Sequence, residues 1–114
     1  MNALQVTSRL TIHDGKLEEF RALAEQCMRL VRERDTGTLQ YDWFFNDRQT
    51  ECVVREAFVD SAAALAHIGN LGPTLGALLG VSTMALEIYG SPSAELSAAV
   101  ASLAPQSYTP FQML

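Results

Sequence analysis

Residues 4–20 read LQVTSRLTIHDGKLEEF, and the spacing of their apolar positions changes once, at Asp14 and Gly15. Before that break Leu4, Val6, Ser8, Leu10 and Ile12 fall on one side and Gln5, Thr7, Arg9 and Thr11 on the other, which is the alternation of a half-buried strand. After it Leu17, Phe20, Leu23, Ala24, Cys27, Leu30 and Val31 recur at helical spacing. Glu18 and Glu19 stand early in that helix and Arg32 and Arg34 late, as its dipole favours.

Gly37 ends the helix, and the aromatic-rich run Thr38 to Phe45 favours a pleated surface. Asn46 to Gln49 predict a polar turn, with Phe45 opposite Thr50, and Glu51 to Val59 a returning strand. Asp60 and Ser61 are helix caps for the alanine-rich stretch through His67 to Leu71; Pro73 interrupts that helix and Leu75 to Leu79 resume it. Met84, Leu86 and Ile88 alternate with Thr83, Ala85, Glu87 and Tyr89 as a fourth strand. Ser91 with Pro92 predicts the start of a short helix to about Leu103. The expected organisation is one domain over residues 1–104 and an irregular apolar tail over 105–114, whose Tyr108, Phe111, Met113 and Leu114 need something to pack on. The order βαββαβ is that of an α+β, ferredoxin-like fold: a four-stranded antiparallel sheet with both long helices on one face.

Composition narrows the function. The chain has 114 residues, 48% hydrophobic and 18% charged, enough for one sizeable core. With 13 acidic against 8 basic residues it lacks the dense cationic patch that phosphate backbones require, so nucleic acid is not expected as a partner. No apolar run reaches the ~18 to 20 residues of a membrane span, and residues 1–12 lack a signal-peptide pattern, so no membrane association and a cytoplasmic location are expected. Cys27 and Cys52 lie in apolar stretches without a metal-ligand pair and read as buried thiols; no metal is expected.

The strand faces carry the chemistry. One face holds Tyr41, Trp43, Phe45, Cys52, Val54, Glu56 and Phe58, and beneath the helices its polar exceptions are Ser8, Tyr41, Trp43 and Glu56. Read as buried, the Glu56 carboxylate needs a partner, and His67 on the second helix, with Asn70 nearby, is the nearest one; the alternatives are a half-exposed, salt-bridged Glu56, a surface or capping His67, and aromatic residues that are core alone. A histidine held by a carboxylate is a general base near neutral pH, and aromatic walls suit a flat ligand. The opposite face mixes Phe44, Val53 and Val59 with Arg9, Arg55, Asp42 and Glu87, two charges of each sign, which fits either a self-complementary homodimer interface or a half-wet monomer surface. Gly69, Gly72, Gly76 and Gly80 match no phosphate-binding motif and imply either close helix packing or room in a pocket.

The order βαββαβ, the stretch Asp14-Gly15-Lys16-Leu17-Glu18-Glu19-Phe20, the run Gly37-Thr38-Leu39-Gln40-Tyr41, the run Glu56-Ala57-Phe58-Val59-Asp60-Ser61 leading to His67, and Leu86-Glu87-Ile88-Tyr89-Gly90 together resemble the antibiotic biosynthesis monooxygenase domain over roughly residues 4–90. The resemblance implies a homodimeric α+β barrel with a pocket between each sheet and its helices. It further implies oxidation of quinols or polyphenols by molecular oxygen without metal, flavin or other cofactor. In that scheme His67 is the base, Glu56 its orienter, Asn70 a contact to a substrate oxygen, Tyr41 and Trp43 the walls, with Ser8 and Phe58 beside them. Some members carry a second histidine where this chain has Asn70-Leu71-Gly72-Pro73, so an isomerase or lyase using the same pair, a non-catalytic binding module, and more remotely a heme protein with His67 as ligand, stand as alternatives.

Overall fold

The structure, a computed structural model, describes residues 3–114. Five strands form one sheet: β1 (Leu4–Ile12), β2 (Thr38–Phe45), β3 (Glu51–Phe58), β4 (Ser82–Tyr89) and β5 (Gln106–Tyr108). Their spatial order is β2-β3-β1-β4-β5, with β1 antiparallel to both β3 and β4. The helices are α1 (Leu17–Arg34), α2 (Ser61–Leu71), α3 (Pro73–Gly80) and α4 (Ala94–Val100). The first four strands have the ferredoxin-like arrangement that the element order implies. Among the described residues no single helix is long and apolar enough to cross a membrane.

Central β1 is bonded on both edges, so every alternate side chain from Leu4 to Ile12 goes under the helices or to the open face. The buried side chains form two apolar clusters. Leu10, Phe20, Cys27, Cys52, Val54 and Leu78 belong to one, and Leu4, Val6, Phe58, Ala64, Ile88 and Leu96 to the other. Ser8, Glu56 and His67 are buried polar residues at the seam: in each of their elements one chain neighbour on the same face belongs to the first cluster and the other to the second. Both cysteines are free and buried.

Four expectations need correction. In the hairpin Phe45 pairs with Cys52, not Thr50, because the Asn46 side-chain oxygen accepts from the amides of both Thr50 and Glu51 at 2.9 Å and widens the loop. The slip is two residues, so the faces keep their assignment. The last helix opens at Ala94 rather than at Ser91-Pro92: Ser93 caps it, accepting from the Leu96 amide at 3.1 Å, and its own amide donates to Ser61 Oγ. The tail is not irregular throughout, since Gln106–Tyr108 adds a fifth strand parallel to β4 and Tyr108 stacks on Tyr89 with ring centroids 5.3 Å apart. The glycine run serves neither of the expected purposes: a Cβ at Gly69, Gly76 or Gly80 would meet nothing within 4 Å, and all three are exposed. Gly72 has a conformational reason, a φ of +53° where α2 breaks into α3 at 75°. Close approach occurs instead at Gly37, where a Cβ would lie 2.6 Å from Ala63 Cβ on α2.

Candidate active site

Three elements bring the polar seam together. Ser8 on β1 and Glu56 on β3 lie on the helix-covered side of the sheet, and the Ser8 hydroxyl donates to Glu56 Oε2 at 2.8 Å. His67 reaches down from α2, its Nε2 lying 3.5 Å from Glu56 Oε1. The α2 register that does this is set by Asp60, whose carboxylate caps the helix at the Ala63 amide. On its other side His67 Nδ1 lies 2.8 Å from Asp35 Oδ2. Asp35 also accepts from Thr38 Oγ1 at 2.6 Å and from Asn70 Nδ2 at 2.9 Å. The result is a continuous chain, Asp35 to His67 to Glu56 to Ser8.

Burial and hydrogen bonding set the charges. Burial pushes the Glu56 carboxyl up to about 7, against the opposing effect of the Ser8 hydrogen bond. Burial also lowers His67 below its ordinary value, although the Asp35 hydrogen bond and charge work the other way. For Asp35 the largest single influence, burial, is upward, but the donors Thr38, Asn70 and His67 together outweigh it and hold the carboxyl below the usual range. At neutral pH the chain therefore contains a carboxylate at Asp35, a neutral imidazole and a Glu56 balanced between its two forms.

The chain opens on a cavity of about 70 Å³ walled by Tyr41, Trp43, Ser8, Glu56 and His67 and closed by leucines from α2 and α3 and by Leu103. Pockets that bury drug-sized ligands measure roughly 300 to 1,000 Å³, so an aromatic ligand enters only if these walls move. The Tyr41 ring stands edge-on to Trp43 at 5.5 Å and to His67 at 4.9 Å. Burial first, and then the neighbouring Cys27 and Glu56, raise the Tyr41 hydroxyl far above its ordinary value. The Trp43 Nε1 hydrogen is buried without an acceptor among the described residues.

Of the residues singled out from sequence, Ser8, Tyr41, Trp43, Glu56 and His67 meet around the cavity. Asn70 and Phe58 do not line it. Asn70 turns its amide to Asp35, and its backbone oxygen accepts from Arg34, so it braces the chain instead of facing a substrate. Phe58 is fully buried and backs His67, with centroids 5.1 Å apart. The carboxylate nearer to His67 is that of Asp35, at 2.8 Å against 3.5 Å for Glu56, and sequence reasoning missed it. Asp35 sits 32 positions from His67 in a loop after α1, where linear spacing offers no signal. Among the described residues no three of His, Cys, Asp and Glu gather as metal ligands.

Comparison with known proteins agrees with this architecture. No curated protein matches the chain by sequence. Among solved structures, MupZ from Pseudomonas fluorescens superposes with a TM-score of 0.86 at 20% identity, covering 100% of this chain and 94% of that one. SnoaB from Streptomyces nogalater, a cofactor-independent oxygenase, gives 0.68 at 18% identity over 82% and 96%. Rv0793 from Mycobacterium tuberculosis gives 0.70 at 18% identity over 81% and 97%. At these identities the likeness is one of fold. The family described as antibiotic biosynthesis monooxygenase matches residues 4–70, more than half of the chain and the part that carries Ser8, Asp35, Tyr41, Glu56 and His67. By fold and by sequence, then, the chain belongs to the antibiotic biosynthesis monooxygenase family.

Proposed function

We propose that the protein oxidises a small hydroxylated aromatic compound with molecular oxygen and without a cofactor, using His67 as base. One observation carries this reading: a buried Asp35–His67–Glu56 chain opens on an otherwise apolar cavity walled by Tyr41 and Trp43. His67 Nε2 takes the phenolic proton, which makes the ring electron-rich enough to give electrons to oxygen; general base catalysis of this kind contributes about 10²–10⁴-fold. Glu56 in its neutral form returns a proton to the developing oxyanion, and the unpaired Trp43 N–H is a donor for a substrate oxygen. The balance is a phenol plus O₂ giving a quinone plus water, with the ring supplying all four electrons. The leucine walls exclude water from the anion once the ligand is seated.

The working unit in this proposal is a homodimer. A second copy would cover the open sheet face, where Phe44, Val59 and Tyr89 are exposed beside the Arg9–Glu87 pair. Sedimentation of the purified protein at twice the chain mass supports it, and a monomer at micromolar concentration refutes it.

The test of function is oxygen uptake against a panel of hydroquinones, catechols and polyphenols in chelated buffer. Uptake is expected with at least one substrate, and His67→Ala is expected to lower it at least 100-fold; undiminished uptake removes His67 from the mechanism. A second reading, an isomerase or lyase, is favoured by one feature: neutral Glu56 and basic His67 face each other at 3.5 Å, an acid and a base that move protons with no net oxidation. Turnover without oxygen uptake would establish it, and binding without any product would point to a binding module.

A further inference from the structure

We infer that Asp35 is the positioning residue of this site: it fixes His67 as the Nδ1–H tautomer and so turns the Nε2 lone pair toward Glu56 and the cavity. The inference rests on the reading of His67 as base, but its structural part can be measured without a substrate.

Asp35 Oδ1 receives the Asn70 amide at 2.9 Å, and Oδ2 receives the Thr38 hydroxyl at 2.6 Å while also facing His67 Nδ1 at 2.8 Å. These donors come from the first residue of β2 and from α2, so the loop after α1 is pinned between two elements. Arg34, the last residue of α1, adds a contact to the Asn70 backbone oxygen at 3.5 Å and ties the end of α2 to the same loop. A carboxylate so surrounded by donors is an anionic acceptor. A neutral imidazole carries one N–H, and with a carboxylate oxygen at 2.8 Å that hydrogen stays on Nδ1; the other tautomer would set two lone pairs against each other.

What remains is an Nε2 lone pair with one neighbour of consequence. The groups that face His67 are Asp35 from the loop, Glu56 from β3, the Tyr41 ring from β2 with Cys27 of α1 behind it, and the apolar Phe58 ring. Glu56 is therefore the one acid placed to exchange a proton with Nε2. The 3.5 Å gap is longer than a formed hydrogen bond, which leaves Nε2 open to a ligand hydroxyl.

Nitrogen NMR of ¹⁵N-histidine-labelled protein tests this at pH 8. The protein has two histidines, and His13→Gln, at an exposed residue outside the site, leaves a single ring to read. A protonated Nδ1 and an unprotonated Nε2 are expected for His67. A protonated Nε2 in the otherwise native protein would overturn the proposal without any variant at Asp35. Asp35→Asn replaces one acceptor oxygen by an amide donor and is expected to reverse or mix the tautomers. Its turnover should fall on the order of 100-fold or more with KM little changed, and the acid limb of the pH profile should move. Should that variant fold poorly, Thr38→Val keeps the carboxylate, and the Nδ1–H tautomer should survive in it. An Asp35→Asn protein that keeps the native tautomer and pH profile would overturn the inference. If no substrate is ever turned over but the tautomer is as expected, the functional reading fails and the positioning of His67 by Asp35 stands.

Discussion

The two faces of the β1–β3 pair use the same residue types under opposite conditions. Ser8 and Arg9 are neighbours in the chain, as are Glu56 and Arg55, yet alternation sends Ser8 and Glu56 beneath the helices and Arg9 and Arg55 to the open face. Inside, Glu56 is met by one hydroxyl and one imidazole, and its proton is held to about 7. Outside, Glu87 pairs with Arg9 at 3.6 Å with side chains 24% and 50% exposed, and water shares the work of solvation. Water access, not residue identity, decides whether a carboxyl here is a reactive group or part of a solvated surface.

The largest effect expected belongs to the covered face. Phe58→Ala removes a buried ring beside His67 and should cost about 3–5 kcal/mol in chemical denaturation. A cost below 1 kcal/mol would mean that this half of the core is loosely packed.

Next comes the pH dependence. Glu56 has a folded value near 7 against an ordinary 4.5, so it binds its proton more tightly in the folded protein. That contribution is fully present below pH 4.5 and is lost as pH rises through 7, to about 3 kcal/mol at most. His67 runs the other way: its value is lowered on folding, so stability falls as pH drops below about 6.5. Glu56→Gln should therefore be more stable than the parent protein at pH 8 and equal to it near pH 4.5. Parallel stability curves for the two proteins from pH 4.5 to 8 would show that Glu56 is not isolated from water.

Ser8→Ala is a smaller perturbation, about 1 kcal/mol, and removes the one hydrogen bond that draws the Glu56 value downward. It should move the pH-dependent loss to higher pH; an unmoved midpoint would show that the hydroxyl does not govern the carboxyl. Smallest of all, Arg9→Ala on the open face should cost under about 1 kcal/mol in the monomer. A loss above 2 kcal/mol that depends on protein concentration would show that a second copy, not water, covers this face.

Much of this was legible beforehand for physical reasons that differ by element. The alternation in Leu4 to Ile12 and the helical spacing from Leu17 to Val31 are read directly, because a strand and a helix each impose a fixed angle between successive side chains. Glu56 and His67 stood out as polar residues in otherwise apolar patterns. Asp35 did not, since an aspartate after a helix is ordinary and its role depends on Thr38, His67 and Asn70 arriving together. Asn70 and Phe58 were misplaced for a related reason: spacing puts a residue on a helix or strand face but does not say which neighbour its side chain selects. The edge strand Gln106–Tyr108 escaped notice because three residues carry no period, and it forms only where Gly90 and Tyr89 offer it a partner.

The order of the first four strands and their helices, their ferredoxin-like arrangement and the family are all readable in the sequence, since these follow from local periodicity and from contiguous runs of residues. The histidine's partner, the cavity's size and the charge state of the chain that lines it come from the folded arrangement alone. Those depend on distances between residues far apart in the chain and on the exclusion of water, which exist only once the helices close over the sheet.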